Sequence, residues 1–391
     1  MYLSNLTLIK NHKSTILQCS VRSSTENKER LCYIEFFSCE PVNILERYDP
    51  FIIGLLPAAM ARGENLEVDG SIDIQLHNNL NDAIALFETW FPKEVKKNKI
   101  TCNGYTHDSK IGSRIMSFFS GGVDAVFNCV YFDSVYTNYP VTDLVLVQGM
   151  DIGLGETPLW NETCARLGDT ASKLGKNLIT VKTNLRDFQH DYVNYTHTGF
   201  GPILGSVSNL FSPDVRLSLI GSYGLFSELA PHASGPLIDR LWSSSNQSVT
   251  HFTPRFSRLD KIRWIAKLNQ DCLKNLRVCW KNPAGSYNCG ICEKCLRTRM
   301  ELKIIDALDI VDTFPRSDIK DDIKLLGDGI PEDDIYTYYF WKEIASLEKN
   351  ASIVKSIHKS LRSYRYRRNI YTTKIKFKQL KKLTKSLLHK L

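Results

Sequence analysis

The chain reads as an α/β protein built on a parallel, twisted sheet with helices on both faces. Three observations predict this. Between residues 114 and 221, short runs rich in Val, Ile and Leu alternate with helical patterns, as βαβ units do. A glycine-rich turn follows the first of these runs directly. With 391 residues and 43% apolar composition, the chain is long enough to bury a sizeable core. An N-terminal α+β module (1–110) and a basic C-terminal extension (351–391) flank this pattern.

In the N-terminal module, residues 3–9, 15–21 and 31–37 predict short strands. Residues 49–61 predict a helix, with Ile52, Leu55, Leu56, Ala59 and Met60 at helical spacing. Alternation over 68–76 predicts another strand, and 81–90 a closing helix. No chemistry is evident here, so the module is expected to cover substrate or to mediate a homodimer. In the central region, 114–119, 143–148, 177–183 and 217–221 predict parallel strands. Residues 159–174 predict a helix with Leu159, Ala165, Leu167, Ala171 and Leu174 as its apolar stripe.

The turn after the first central strand is Ser120-Gly121-Gly122-Val123-Asp124-Ala125. Two glycines let the backbone approach a ligand closely. The first N–H groups of the helix, which have no intrahelical partners, then point at an anion. Ser120 adds a hydroxyl donor, and Asp124 a carboxylate suited to Mg²⁺. The spacing is not that of a Walker A loop, so a kinase or motor ATPase is not indicated. An ordinary strand-to-helix turn is the plainer reading.

A second constellation is Cys279, Cys289, Cys292 and Cys295. Three thiols at two-residue spacings, joined by one from upstream, can converge on tetrahedral Zn²⁺. The competing reading is a redox or persulfide role for Cys292 and Cys295. The other seven cysteines (19, 32, 39, 102, 129, 164 and 272) read as small buried hydrophobes.

The hexapeptide resembles the S-G-G-x-D-S loop of the PP-loop ATP pyrophosphatases, a branch of the HUP type of α/β fold. Loop and cysteines together, over residues 112–305, resemble the 7-cyano-7-deazaguanine synthase family. A third point of likeness is Lys261, which opens a helix (260–268) shortly before the cysteines. The resemblance implies that the PP-loop domain with its zinc-binding loop spans 111–310, followed by an acidic helical linker (311–350) and the basic tail. It implies an ATP-dependent ligase that adenylates a small-molecule acceptor, a carboxylate above all, and releases pyrophosphate. Ammonia or an amine then displaces AMP. ATP, Mg²⁺ and Zn²⁺ are the implied cofactors. Ser120, Asp124 and Lys261 are the implied catalytic residues. Val123 and Arg258 join the loop as candidate nucleotide contacts, and the position of Gly149 and Asp151 at a strand end puts them near the adenosine or the acceptor. Departures are Ala125 where the family has a hydroxyl residue, and Gln148-Gly149-Met150-Asp151 after the second strand. The alternatives are a sulfurtransferase acting on tRNA and a nucleotide-binding protein with weakened turnover.

In parallel sheets, ligands sit outside the carboxyl ends of the strands. That rule gathers residues 120–124, 149–151, 183–186 and 222–223 on one rim, with Asn184 and Arg186 as candidate acceptor or phosphate contacts. Lys261 and Arg258 are expected to neutralise charge on the departing pyrophosphate, although a solvated first turn of a helix is the plainer reading. His232 is a candidate proton acceptor. His190, His197 and His251 read as surface or core residues.

The formal net charge is +8. Residues 351–391 hold 13 Lys and Arg and no Asp or Glu. Of 50 basic and 42 acidic residues, the body therefore keeps 37 basic side chains (50 minus 13), a balance of −5. The body carries no nucleic-acid footprint. The tail, with Tyr364, Tyr366, Tyr371 and Phe377 and with Leu380, Leu383, Leu387 and Leu388 at helical spacing, suits an anionic membrane surface, RNA or a partner groove. Its plainer reading is a solvated, partly helical extension. No apolar run reaches a membrane span and no signal peptide is evident, so a cytoplasmic location is expected.

Overall fold

The computed structural model describes residues 1–26, 28–327, 329–330 and 335–388, with side chains through residue 374. It forms two compact units, Met1–Asn275 and Leu276–Leu391.

The first unit is α/β, built on a large, mostly parallel sheet of ten strands. They are β1 (Tyr2–Lys10), β2 (Thr15–Ser23), β3 (Lys28–Phe37), β4 (Leu66–Asp73), β5 (Ile100–Thr106), β6 (Arg114–Phe118), β7 (Asp143–Gln148), β8 (Asn177–Thr183), β9 (Val215–Gly221) and β10 (Ser248–Phe252). Their spatial order is β10-β9-β6-β7-β8-β3-β2-β1-β4-β5. Strands β10, β9, β6, β7 and β8 are mutually parallel. The chain enters this set at β6, builds outward through β7 and β8, then returns to the other side of β6 for β9 and β10. The reversal falls between β6 and β9, and such a switch point opens a crevice at the carboxyl edge of a sheet.

The sheet is covered on both faces. Helices α1 (Asp49–Arg62) and α2 (Ile74–Trp90) belong to one core with Met116, Phe118, Val145, Ile220 and Val249. On the opposite face of β10, Phe252 meets Phe132 of α3 (Val123–Val135), with ring centroids 5.3 Å apart. Helix α4 (Thr157–Lys173) connects β7 to β8. Helices α5 (Leu185–Gln189) and α6 (Phe200–Leu210) precede β9, and α7 (Arg258–Asn269) follows β10. Burial on both faces explains why β6 and β7 read as continuous apolar runs rather than alternating ones.

Residues 1–110 are not a separate module. β3 pairs antiparallel with β8, from Ile34 opposite Thr183 to Phe37 opposite Thr180, so the N-terminal strands continue the central sheet. One core runs from Leu3 to Val249. The expected strand over 68–76 ends earlier, because the buried Asp73 carboxylate accepts the Leu76 N–H (2.8 Å) and starts α2 at Ile74.

The second unit contains α8 (Glu293–Ile304), the short α9 (Ile319–Asp322), α10 (Ile335–Leu347) and α11 (Ala351–Leu388). The start of the basic tail is part of its core. Ile353, Ile357, Leu361 and Tyr364 form a buried stripe on α11, and Trp341 of α10 lies in the same cluster. Tyr364 stacks on Tyr338 at 4.9 Å. The expectation of a solvated extension is therefore wrong for this part, whose Lys and Arg occupy the other faces. The side chains of Phe377, Leu380, Leu383, Leu387 and Leu388 lie outside the described residues. Among the described residues, no helix is long and apolar enough to cross a membrane.

Candidate active site

The glycine turn leaves β6 at the crevice. Gly121 adopts φ +79°, a left-handed conformation that a side chain would strain. Gly122 takes the N-cap position of α3, and Asp124 lies in its first turn. The N–H groups of that turn therefore head the helix, where no intrahelical acceptor exists. Ser120 is exposed at the lip, and its Oγ lies 3.4 Å from the Gly122 N–H.

Helix α7 packs against α3 and brings two cations to this turn. Ser257 caps α7 by accepting the Asp260 N–H at 3.2 Å, which places Arg258 and Lys261 in its first turn. Lys261 Nζ lies 2.7 Å from Asp124 Oδ1, and Arg258 Nη1 lies 3.5 Å from Asp124 Oδ2. The Lys261 side chain is only 1% exposed, whereas that of Asp124 is 26% exposed. Lys261 also donates to the backbone carbonyl of Ser222, just past the end of β9. A Cβ on Gly221 would come within 3.2 Å of the Asp124 Cβ, so the end of β9 packs closely on the first turn of α3. Five residues from three elements thus converge at the β6–β9 switch point. The plainer expectation of a solvated first turn does not hold for Lys261 or Arg258.

The remaining rim is partly committed to the fold. Gly149 has φ +96°, and a Cβ there would meet the Thr183 carbonyl oxygen at 2.0 Å, so the turn after β7 is moulded against the end of β8. The Arg186 guanidinium donates to the Met150 carbonyl and lies 4.2 Å from the centre of the Tyr195 ring. Burial, with the Asp151 carboxylate adding to it, pushes the Tyr195 hydroxyl up from its ordinary pKa. Asn184 is not placed to bind a ligand. Its Oδ1 accepts the Tyr33 N–H (2.9 Å), and its Nδ2 donates to the Leu31 carbonyl (2.8 Å), tying α5 to β3. His232 packs against Tyr223 (4.7 Å) and Phe200 (5.2 Å).

In the second unit, the Sγ atoms of Cys279, Cys289, Cys292 and Cys295 all lie within 4.8 Å of one another. The Cys279–Cys292 and Cys289–Cys295 sulfur separations are 4.0 and 3.9 Å. Tetrahedral zinc with Zn–S bonds of about 2.3 Å places its sulfurs about 3.8 Å apart. The group can hold a metal ion such as zinc. Hydrogen bonding with Cys292 and Cys295 lowers the Cys279 thiol, and the same hydrogen bonding with Cys279 raises the other two. The sequence reading missed Asn288, which braces the site. Its Oδ1 accepts the Val278 and Cys279 N–H groups (2.9 and 3.1 Å), and its Nδ2 donates to Leu276 and Thr313. The available signal was an Asn directly before the cysteine repeat. Cys292 N-caps α8, so the helix start fixes the last two ligands.

No family model, curated protein or solved structure matches this chain.

Proposed function

We propose that the chain is an ATP-dependent ligase of the PP-loop type, transferring AMP to a small-molecule acceptor, a carboxylate above all, with release of pyrophosphate. A nitrogen nucleophile then displaces AMP. The observation that carries this reading is the 2.7 Å contact between the buried Lys261 ammonium and Asp124, beside the glycine turn at the switch point. A buried, fixed cation next to helix N–H groups that lack intrahelical acceptors suits the charge that develops on a leaving pyrophosphate.

In this reading Ser120 and the N–H groups of Gly122 and Val123 bind phosphate oxygens. Asp124 orients Lys261 and, with Ser120, would hold the Mg²⁺ that accompanies ATP. Bound there, Mg²⁺ would supply Lewis-acid charge at the phosphates. Zinc at the four cysteines has a structural role. The closed four-sulfur grouping favours this over a persulfide carrier, which requires a thiol outside a metal shell. The absence of a hydroxyl at Ala125, buried in the first turn of α3, favours a second reading as a nucleotide-binding protein.

The test is to incubate the full chain with α-labelled ATP, Mg²⁺ and small-molecule extract, and to follow labelled AMP. AMP formation that depends on Ser120 and Lys261 supports the ligase. ATP binding without AMP supports the second reading, and no ATP binding overturns both.

A further inference from the structure

Helix α11 is longer and more basic than the core of the second unit requires. Its docked stripe of Ile353, Ile357, Leu361 and Tyr364 extends no further than Tyr364 among the described residues. Arg365 donates to the Tyr338 hydroxyl and Arg367 to the Ile330 carbonyl, each at 2.8 Å, and these bonds fix the root of the helix. From there the backbone stays helical to Leu388. The 24 positions after Tyr364 (388 minus 364) span about 36 Å.

At 3.6 residues per turn, register assigns each position to a side of the helix. The side opposite the docked stripe holds Lys355, Lys359, Arg362, Tyr366 and Ile370, all of them exposed. Tyr366 is 69% exposed. Continued along the backbone, that same side takes Phe377, Leu380, Leu387 and Leu388. These four positions fall within roughly 100° of the circumference, with Leu383 at the margin. Lys378, Lys381, Lys382 and Lys385 fall together beside them, and Lys376 is the exception to the separation. The distal apolar positions therefore do not prolong the stripe that packs on the second unit. They lie about half a turn away from it.

Three features select the partner. Residues 351–391 hold 13 Lys and Arg and no Asp or Glu, which calls for an anionic surface. An apolar side needs a partner that accepts apolar groups, and the phosphate backbone of RNA does not. Tyr366 stands between the basic root and the apolar tip, where a ring with a polar end suits a headgroup boundary. We propose that the outward side of α11 docks the protein on an anionic phospholipid surface. Among the described residues, no helix is long and apolar enough to cross a membrane, so α11 lies along the surface rather than through it. This inference is independent of the ligase reading.

The test is flotation of the full chain with vesicles of phosphatidylcholine alone, or of phosphatidylcholine with roughly one-third phosphatidylglycerol. The expected result is recovery with the anionic vesicles only, weakened at high salt. Leu380→Ser combined with Leu387→Ser keeps every charge and should lower that partition about a hundredfold, at about tenfold per leucine. Ile375→Ser, about half a turn from the apolar side, should lower it less than about threefold. Thermal melts of both variants should match the parent, because the core of the second unit extends no further than Tyr364 among the described residues. No recovery, recovery indifferent to lipid charge, equal losses in the two variants, or undiminished partition of the double variant overturns the inference. Binding to a duplex RNA without recovery on vesicles also overturns it, and assigns the surface to nucleic acid.

Discussion

Lys261 Nζ and Asp124 Oδ1, 137 positions apart in sequence, lie 2.7 Å from each other at the crevice between β6 and β9. The lysine is buried and the aspartate half-buried, so the pair is unequal in its solvation. Removing the carboxylate strands a charge in a low-dielectric site, whereas removing the lysine leaves a carboxylate that water reaches. Asp124→Asn is therefore expected to destabilise the protein more than Lys261→Met, by about 2–4 against about 1–2 kcal/mol. Denaturant unfolding of both variants and of the double variant checks this. The double variant should recover part of the Asp124→Asn loss.

Gly149→Ala places a methyl group 2.0 Å from the Thr183 carbonyl at φ +96°. A loss of about 3 kcal/mol or more is expected, since strain and overpacking both act. Gly155→Ala, with nothing within 4 Å, should change stability by less than about 0.5 kcal/mol. Thermal melts of the two variants side by side give the comparison.

Cys292→Ser should abolish stoichiometric zinc, measured by elemental analysis, because it removes one of the four sulfurs of the group that can hold the ion. Limited proteolysis should then cut within residues 279–295, and a chelator should reproduce the effect in the unsubstituted protein. Asn288→Ala should weaken zinc retention by about 10–100-fold without removing a ligand.

Burial opposes the Glu64 charge, but hydrogen bonds from the Ser23 and Thr25 hydroxyls outweigh it and hold the carboxyl down to about 2. A group depressed in the folded state contributes stability above its unfolded pKa and loses it as pH falls through the folded value. The advantage of Glu64 over a Glu64→Gln variant should be full above pH 4.5 and vanish as pH falls toward 2. Unfolding free energies measured across that window decide it.

Ile357→Ala, in the stripe of α11 that joins the core of the second unit, should cost about 2–5 kcal/mol. The exposed Tyr366→Ala, only nine positions on, should cost less than about 0.5 kcal/mol. Equal, negligible effects would return the segment to a solvated extension.

Much of the parallel sheet was legible because its strands are short apolar runs bounded by turn residues. The expected bounds of β7 and β8 coincide with those observed. The glycine turn and the four cysteines were legible because spacing alone brings them together. Helix α6 was not. Its sequence FGPILGSVSNL carries glycines, a proline and serines, and burial nearly all round leaves no stripe to read. Strand β10, SVTHF, was lost for a similar reason, its histidine being buried only through Asp239. The continuity of the N-terminal strands with the sheet depends on β3 meeting β8 about 150 residues later, which no local pattern encodes.

That distant pairing has a consequence for biogenesis. The hairpin strands emerge from the ribosome long before their partner. At about 5–20 residues per second, roughly 7–30 s separate the appearance of Phe37 from that of Thr183. Throughout that interval one margin of the nascent hairpin offers open backbone amides and carbonyls to any neighbouring chain. Yield in the cell should therefore track how well that margin is shielded during synthesis, rather than the stability of the finished molecule.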